Sequence, residues 1–84
     1  MKIEIKDVIT LSDSNKYVVC SKINYQGDNY LYLIDINNVE NIKFTLEKIT
    51  NNKIKILEIE NENLIRTLLP LFLEAGKDII PNEI

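Results

Sequence analysis

The chain has no histidine, no tryptophan, one cysteine, two glycines and two prolines in 84 residues. Each scarcity removes a class of function. Without histidine, a general base near neutral pH would have to be a carboxylate or amine with a strongly shifted pKa. A hydroxyl or thiol nucleophile has no imidazole beside it to take its proton. Structural zinc needs Cys and His in sets of four, which cannot be assembled here. Two isolated glycines make no phosphate-cradling loop. The expectation is a non-catalytic chain with no metal and no cofactor.

Long apolar runs are also missing. The longest, Leu68 to Leu73, is interrupted by Pro70 and is far shorter than the roughly 20 residues a membrane span needs. The start, Met1-Lys2-Ile3-Glu4-Ile5-Lys6-Asp7, alternates charged and apolar residues and has no signal-peptide core. The lone Cys20 has no partner within the chain, which fits a reducing compartment. It sits in the apolar run Tyr17-Val18-Val19-Cys20 with no adjacent cation, so it reads as a small core residue rather than a reactive thiol. These features predict a cytoplasmic protein with no membrane partner. A net charge of −3 disfavours direct nucleic-acid binding, whose affinity comes largely from phosphate neutralisation.

What is present is a small, ordinary globular composition, 45% hydrophobic and 27% charged. That is one domain near the lower size limit for a self-sufficient core, so self-association would help it. Isoleucine, asparagine and lysine together make up 35 of the 84 residues, a codon signature of an AT-rich genome such as a low-GC bacterium or its phage.

Polar turn signals recur at positions 12–15, 26–29, 37–41 and 50–53. Short strands at that spacing predict an antiparallel meander. The first strand covers 8–11, extended backwards by Ile3 and Ile5. In the second, alternation puts Tyr17, Val19 and Ile23 on one face, with Val18, Cys20 and Lys22 on the other. The third is apolar on both sides: Tyr30, Tyr32, Ile34 and Ile36 against Leu31 and Leu33. Such a strand belongs inside a sheet covered on two faces, or inside a curled one. Ile42, Phe44 and Leu46 alternate with Lys43, Thr45 and Glu47, and a fifth strand sets Ile54 and Ile56 against Leu57 and Ile59.

After Asn61 the period changes. Asn61 reads as an N-cap, Glu62 favours the first turn, and Gly76 ends the helix. Apolar residues at 64, 65, 68, 69, 71, 72 and 73 span about 200° of the helix, more than one sheet face covers. Pro70 predicts a kink or a break into two short helices. The fold class is therefore α+β: a curled five-stranded meander, SH3-like and open, with one C-terminal helix. Positions 1–76 form the domain and 77–84 a tail.

Three constellations are candidates for function. The first is the helix surface Leu64, Leu68, Leu69, Leu71, Phe72 and Leu73; core packing explains part of it, and an association surface would take the surplus. The second is the hairpin with Tyr25, Tyr30 and Tyr32. Its rings either stabilise the hairpin by cross-strand packing or face a ligand or partner. The third is the acidic series Glu58, Glu60 and Glu62. It is either a solvated strand face with a helix-dipole contact or a stripe that imitates phosphates for a basic protein surface.

The runs Val8-Ile9-Thr10-Leu11-Ser12-Asp13, Lys16-Tyr17-Val18-Val19 and Tyr25-Gln26-Gly27-Asp28-Asn29-Tyr30-Leu31-Tyr32-Leu33-Ile34 resemble small proteins of the domain-of-unknown-function type. Such proteins occur in low-GC Gram-positive bacteria and their phages. The resemblance covers residues 8–73 and implies a compact meander closed by a helix, sometimes on mobile elements; it brings no functional residues. The functional expectation is a protein-binding module, with a homodimer plausible. A sharper version is a phage-borne inhibitor of a host system, such as an anti-CRISPR-like protein. The alternative is a small-ligand or nucleotide sponge that uses the tyrosine hairpin in a dimer cleft.

Overall fold

The computed structural model describes residues 3–77. Five antiparallel strands run in chain order: β1 (Val8–Thr10), β2 (Lys16–Tyr25), β3 (Asp28–Asp35), β4 (Asn38–Thr50) and β5 (Lys53–Glu58), followed by helix α1 (Glu62–Ala75). Each strand pairs with its sequence neighbour in the order β1-β2-β3-β4-β5. The sheet curls into a half-barrel, giving the expected α+β, SH3-like open architecture. Apart from Lys77, the expected tail lies outside the described residues.

Two hairpins turn on residue pairs with positive φ, Gln26-Gly27 (52° and 88°) and Asn51-Asn52 (51° and 65°). Left-handed backbone at both central positions gives the turn whose twist matches the flanking strands. Glycine adopts it without steric cost and asparagine tolerates it. These two turns pin the register of most of the sheet, with Tyr25 opposite Asp28 and Thr50 opposite Lys53.

β3 carries the core on both faces. Tyr30 and Tyr32 bury against Cys20, Leu68 and Phe72 beneath the helix. Leu31 and Leu33 bury with Tyr17 and Val19 on the opposite face, where Ile3, Ile9, Leu11 and Ile56 pack over them. Aromatic edges tie the helix side together: Tyr32 meets Phe44 at 5.2 Å and Phe72 at 5.8 Å between ring centres, both T-shaped, the favoured arrangement of ring quadrupoles.

The face assignment of β2 needs correction. Between Val19 and Ser21 the register against β3 slips, so Cys20 is the extra residue of a bulge. A bulge shifts every following side chain to the other face. Tyr17 and Val19 stay on the face away from the helix, while Ile23 joins Tyr30 under it. The same shift puts Ser21 beneath α1, where its buried hydroxyl donates to the Phe72 carbonyl at 2.8 Å.

Two other expectations change. Ile3 and Ile5 do not extend β1, because a turn redirects the chain: the Asp7 N–H donates to the Glu4 carbonyl and Lys6 has φ 80°. β4 begins at Asn38, inside the segment expected as a turn, because the register against β3 shifts between Ile34 and Asp35.

The helix begins as expected, with Asn61 Oδ1 accepting the Leu64 N–H at 3.1 Å. It ends at Gly76, whose N–H donates to the Phe72 carbonyl. Of the two outcomes expected at Pro70, a kink or a break, the break does not occur; one helix runs through it. Proline removes the donor that the Arg66 carbonyl would have used and its ring crowds that carbonyl; both effects fall on the exposed side, at Arg66 and Pro70, while Leu68 and Phe72 stay buried on the opposite one.

Removing the Ser21 hydroxyl (Ser21→Ala) is expected to cost about 1 kcal/mol, the usual net value of one buried hydrogen bond. Phe72→Ala is expected to cost about 3–5 kcal/mol through the cavity it leaves, most of the stability of so small a domain. Urea unfolding checks both: the midpoint falls modestly for the first and most of the way for the second.

Candidate functional site

The sequence-selected residues divide sharply. On the helix, Leu68 and Phe72 are fully enclosed, while Leu64, Leu69 and Leu73 are half-buried and pack on the same cluster. Leu71 remains 42% exposed. Tyr30 and Tyr32 are buried in the core. Tyr25 is half-buried and sets its ring edge-on to Tyr30 at 6.5 Å. The hairpin rings therefore pack mainly on the protein itself. Glu58, Glu60 and Glu62 are all exposed, and Glu58 is engaged by Lys43 at 3.3 Å.

One concave feature of the molecule lies on the face away from the helix, at the open side of the half-barrel; another, of about 350 Å³, is lined by Glu4, Ile5, Lys22, Ile23, Asn24 and Asn29. The first, a cleft of about 390 Å³, is walled by Thr10, Leu11, Ser12 and Asp13 on one side and by Ile54, Ile56 and Glu58 of β5 on the other. Lys43 and Thr45 of β4 line it as well. Only Glu58 among these was selected from the sequence.

The backbone adds to this geometry. In an antiparallel pair, residues that exchange hydrogen bonds alternate with residues whose N–H and C=O point away. The Ile59 N–H donates to the Phe44 carbonyl at 2.8 Å, which fixes the phase for the register Thr45 opposite Glu58 and Glu47 opposite Ile56. Lys53, Lys55 and Leu57 thus bond to β4. Ile54, Ile56 and Glu58 present their backbone groups outward, along the wall of the cleft. On β1, Val19 N–H to Asp7 carbonyl and Leu11 N–H to Asn15 carbonyl set the same alternation, so Val8 and Thr10 point outward. β1 and β5 do not pair with each other. Among the described residues, the cleft is bordered by two unpaired strand edges.

Electrostatics organise its β1 wall. The Tyr17 hydroxyl donates to Asp13 Oδ2 at 2.6 Å and accepts from Asn41 Nδ2 at 3.1 Å, and the same Asn41 amide donates to Asp35 Oδ2. The hydrogen bond from Tyr17 holds the Asp13 carboxyl below its ordinary value of 3.8, helped by the Asn15 N–H. Conversely, the Asp13 carboxylate, and then burial, push the Tyr17 phenol above 10.0. Hydrogen bonding to Glu58 raises the Lys43 ammonium. Burial raises the Cys20 thiol, which keeps it protonated and a poor nucleophile.

The floor carries an unusual group. Thr45 is 0% exposed, and its Oγ1 has no hydrogen-bond partner among the described residues. Nearby, buried Glu47 accepts from Asn29 Nδ2 at 3.2 Å through Oε1, while its Oε2 has no such partner. Among the described residues no group of three or more His, Cys, Asp or Glu is placed to hold a metal ion. No described helix is long and apolar enough to cross a membrane.

Neither the cleft nor the orphan hydroxyl is legible in the sequence. The signal that could have found them is the pair Thr45 and Glu47, polar residues alternating inside a strand that the curl closes over.

Two measurements follow. An unbonded buried hydroxyl costs about 1–3 kcal/mol, so Thr45→Val is expected to raise stability by about 1 kcal/mol, visible as a higher urea midpoint. The Asp13–Tyr17 bond has a pH signature with a definite sign. Asp13, lowered when folded, contributes stability above pH 3.8 that is lost as pH falls; Tyr17, raised when folded, contributes stability below pH 10.0 that is lost as pH rises. The Tm gap between the native chain and Tyr17→Phe should be constant from about pH 5 to 9 and narrow at both ends. No family model, curated protein or solved structure matches the chain.

Proposed function

We propose that this chain is a non-catalytic protein-interaction module that acts by binding another protein. The observation that carries the reading is the open side of the half-barrel. A cleft of about 390 Å³ lies between two strand edges, one of which turns three consecutive outward N–H and C=O pairs toward it. Unsatisfied strand edges are templates for added strands, which natural proteins otherwise shorten, cover or guard with charge. Here β5 keeps exposed Lys53 and Lys55 on its other face, which discourages indiscriminate pairing while leaving the cleft side accessible.

Exposed apolar surface supports the same reading. Leu57 on β5 and Leu71 on the helix are 47% and 42% exposed, and association with a partner would bury them. The version in which the partner is a host protein with a basic groove uses Glu58, Glu60 and Glu62 as the contact. In that version Glu60 and Glu62 are the carboxylates with no ion-pair partner among the described residues, since Glu58 is paired with Lys43.

Crosslinking tests the proposal. The tagged full chain, added to extract of the cells that express it, is treated with a lysine-reactive crosslinker and analysed by mass spectrometry. A specific partner, crosslinked through Lys43, Lys53 or Lys55 rather than through Lys77, is the expected result. Absence of any protein retained above a control matrix contradicts the reading. A partner that reacts only through Lys77 moves the contact away from the open side.

A further inference from the structure

We infer that the cleft between β1 and β5 takes a single extended segment of the partner, added as a strand along β5 with a lysine or arginine facing Asp13. The inference rests on the protein-binding reading and specifies its occupant. Three observations carry it.

The first is steric. The cleft is walled by residues 10–13 on one side and by β5 on the other. A second copy of this chain offering its own β5 would bring its β4 alongside, into the space that 10–13 occupy. A segment with both of its edges free, such as a chain terminus or a loop unattached to a sheet, meets no such obstacle. Its backbone would pair with the outward groups of Ile54, Ile56 and Glu58, and its other edge would lie toward Val8 and Thr10.

The second is charge. Asp13, Lys43 and Glu58 line the cleft, and Lys43 is already paired with Glu58 at 3.3 Å. Asp13 receives a neutral phenol and a backbone N–H; Lys43 acts on it only from beyond ion-pair distance, so its negative charge has no directly bonded cation among the described residues. A cationic side chain from the segment supplies it. The apolar walls Leu11, Ile54 and Ile56 accommodate the stem of a lysine or arginine.

The third is the Thr45 hydroxyl, buried in the lining with no partner. Native interiors rarely leave such a group unbonded; because it is closed off from solvent, a bound segment gives it a partner by displacing the side chains that cover it. A group held in a state that costs stability until a ligand arrives is a common mark of a binding site.

Selection from a display library of linear ten-residue peptides against the full chain tests the inference, followed by affinity and amide-exchange measurements on the selected peptides. Enriched sequences should contain lysine or arginine. Their binding should slow exchange at Ile54, Ile56 and Glu58 by at least about tenfold, and leave the already bonded Leu57 amide little changed. Asp13→Asn, which keeps an acceptor for Tyr17, should weaken binding about fivefold. Thr45→Val should weaken it too, although the free variant is no less stable than the native chain. Failure to enrich any peptide overturns the inference, as does binding that leaves those three amides unprotected or that is indifferent to both substitutions. If the crosslinked partner binds while the peptide experiments fail in these ways, the module reading stands and the extended segment is ruled out.

Discussion

The constraint on which the structure depends is that β3 must hide both of its faces while the described residues supply only one helix. Tyr30 and Tyr32 are covered by Leu68 and Phe72. Leu31 and Leu33 on the other side have no second helix, so the sheet covers them itself, bringing Ile9, Leu11 and Ile56 from its two ends over the same face. Curling is thus a consequence of composition. Five strands bend far enough to bury that face, and β1 and β5 still do not pair. The cleft is what remains.

The bulge at Cys20 makes this arrangement possible within one strand. Before it, β2 contributes Tyr17 and Val19 to the face without a helix; after it, Ile23 serves the face with one. The strand therefore feeds both cores and bends more sharply where the extra residue sits. Ser21, brought beneath the helix by the same step, uses its hydroxyl to bond the helix backbone at Phe72. Loop anchoring is a separate matter. Asn41 reaches both Tyr17 and Asp35, and Tyr17 holds Asp13, so side chains fasten the Asp13 end of the cleft wall, beyond the point where the β1–β2 ladder holds Thr10.

Much of the architecture can be read from residues alone, and the reasons it can are local. Asn51-Asn52 and Gln26-Gly27 announce tight turns by their tolerance of positive φ, and the two-sided apolar pattern of β3 announces burial on both faces. Asn61 and Gly76 mark the helix ends by capping chemistry. The misses are non-local. Val18-Val19-Cys20-Ser21 contains no residue that signals a bulge, since only pairing with β3 reveals the slip. The length of β4 was hidden because Asn37, Asn38 and Asn41 look like turn residues until a register shift accommodates them. Of the residues around the cleft, Glu58 was visible as an acid, but Thr45, Asp13 and the outward amides of β5 acquire meaning only from curvature and hydrogen-bond phase. Conversely, Tyr30, Tyr32, Leu68 and Phe72 are apolar enough to suggest a surface, and the core absorbs them.

The account turns on the open edge of β5, and amide hydrogen exchange of the free chain measures it most directly. The structure predicts an alternation along one strand: slow exchange at Lys55 and Leu57, whose N–H groups bond to β4, and fast exchange at Ile54, Ile56 and Glu58, whose N–H groups face the cleft. Uniformly slow exchange from 54 to 58 in the free protein would mean that this edge is already paired, and would contradict the account.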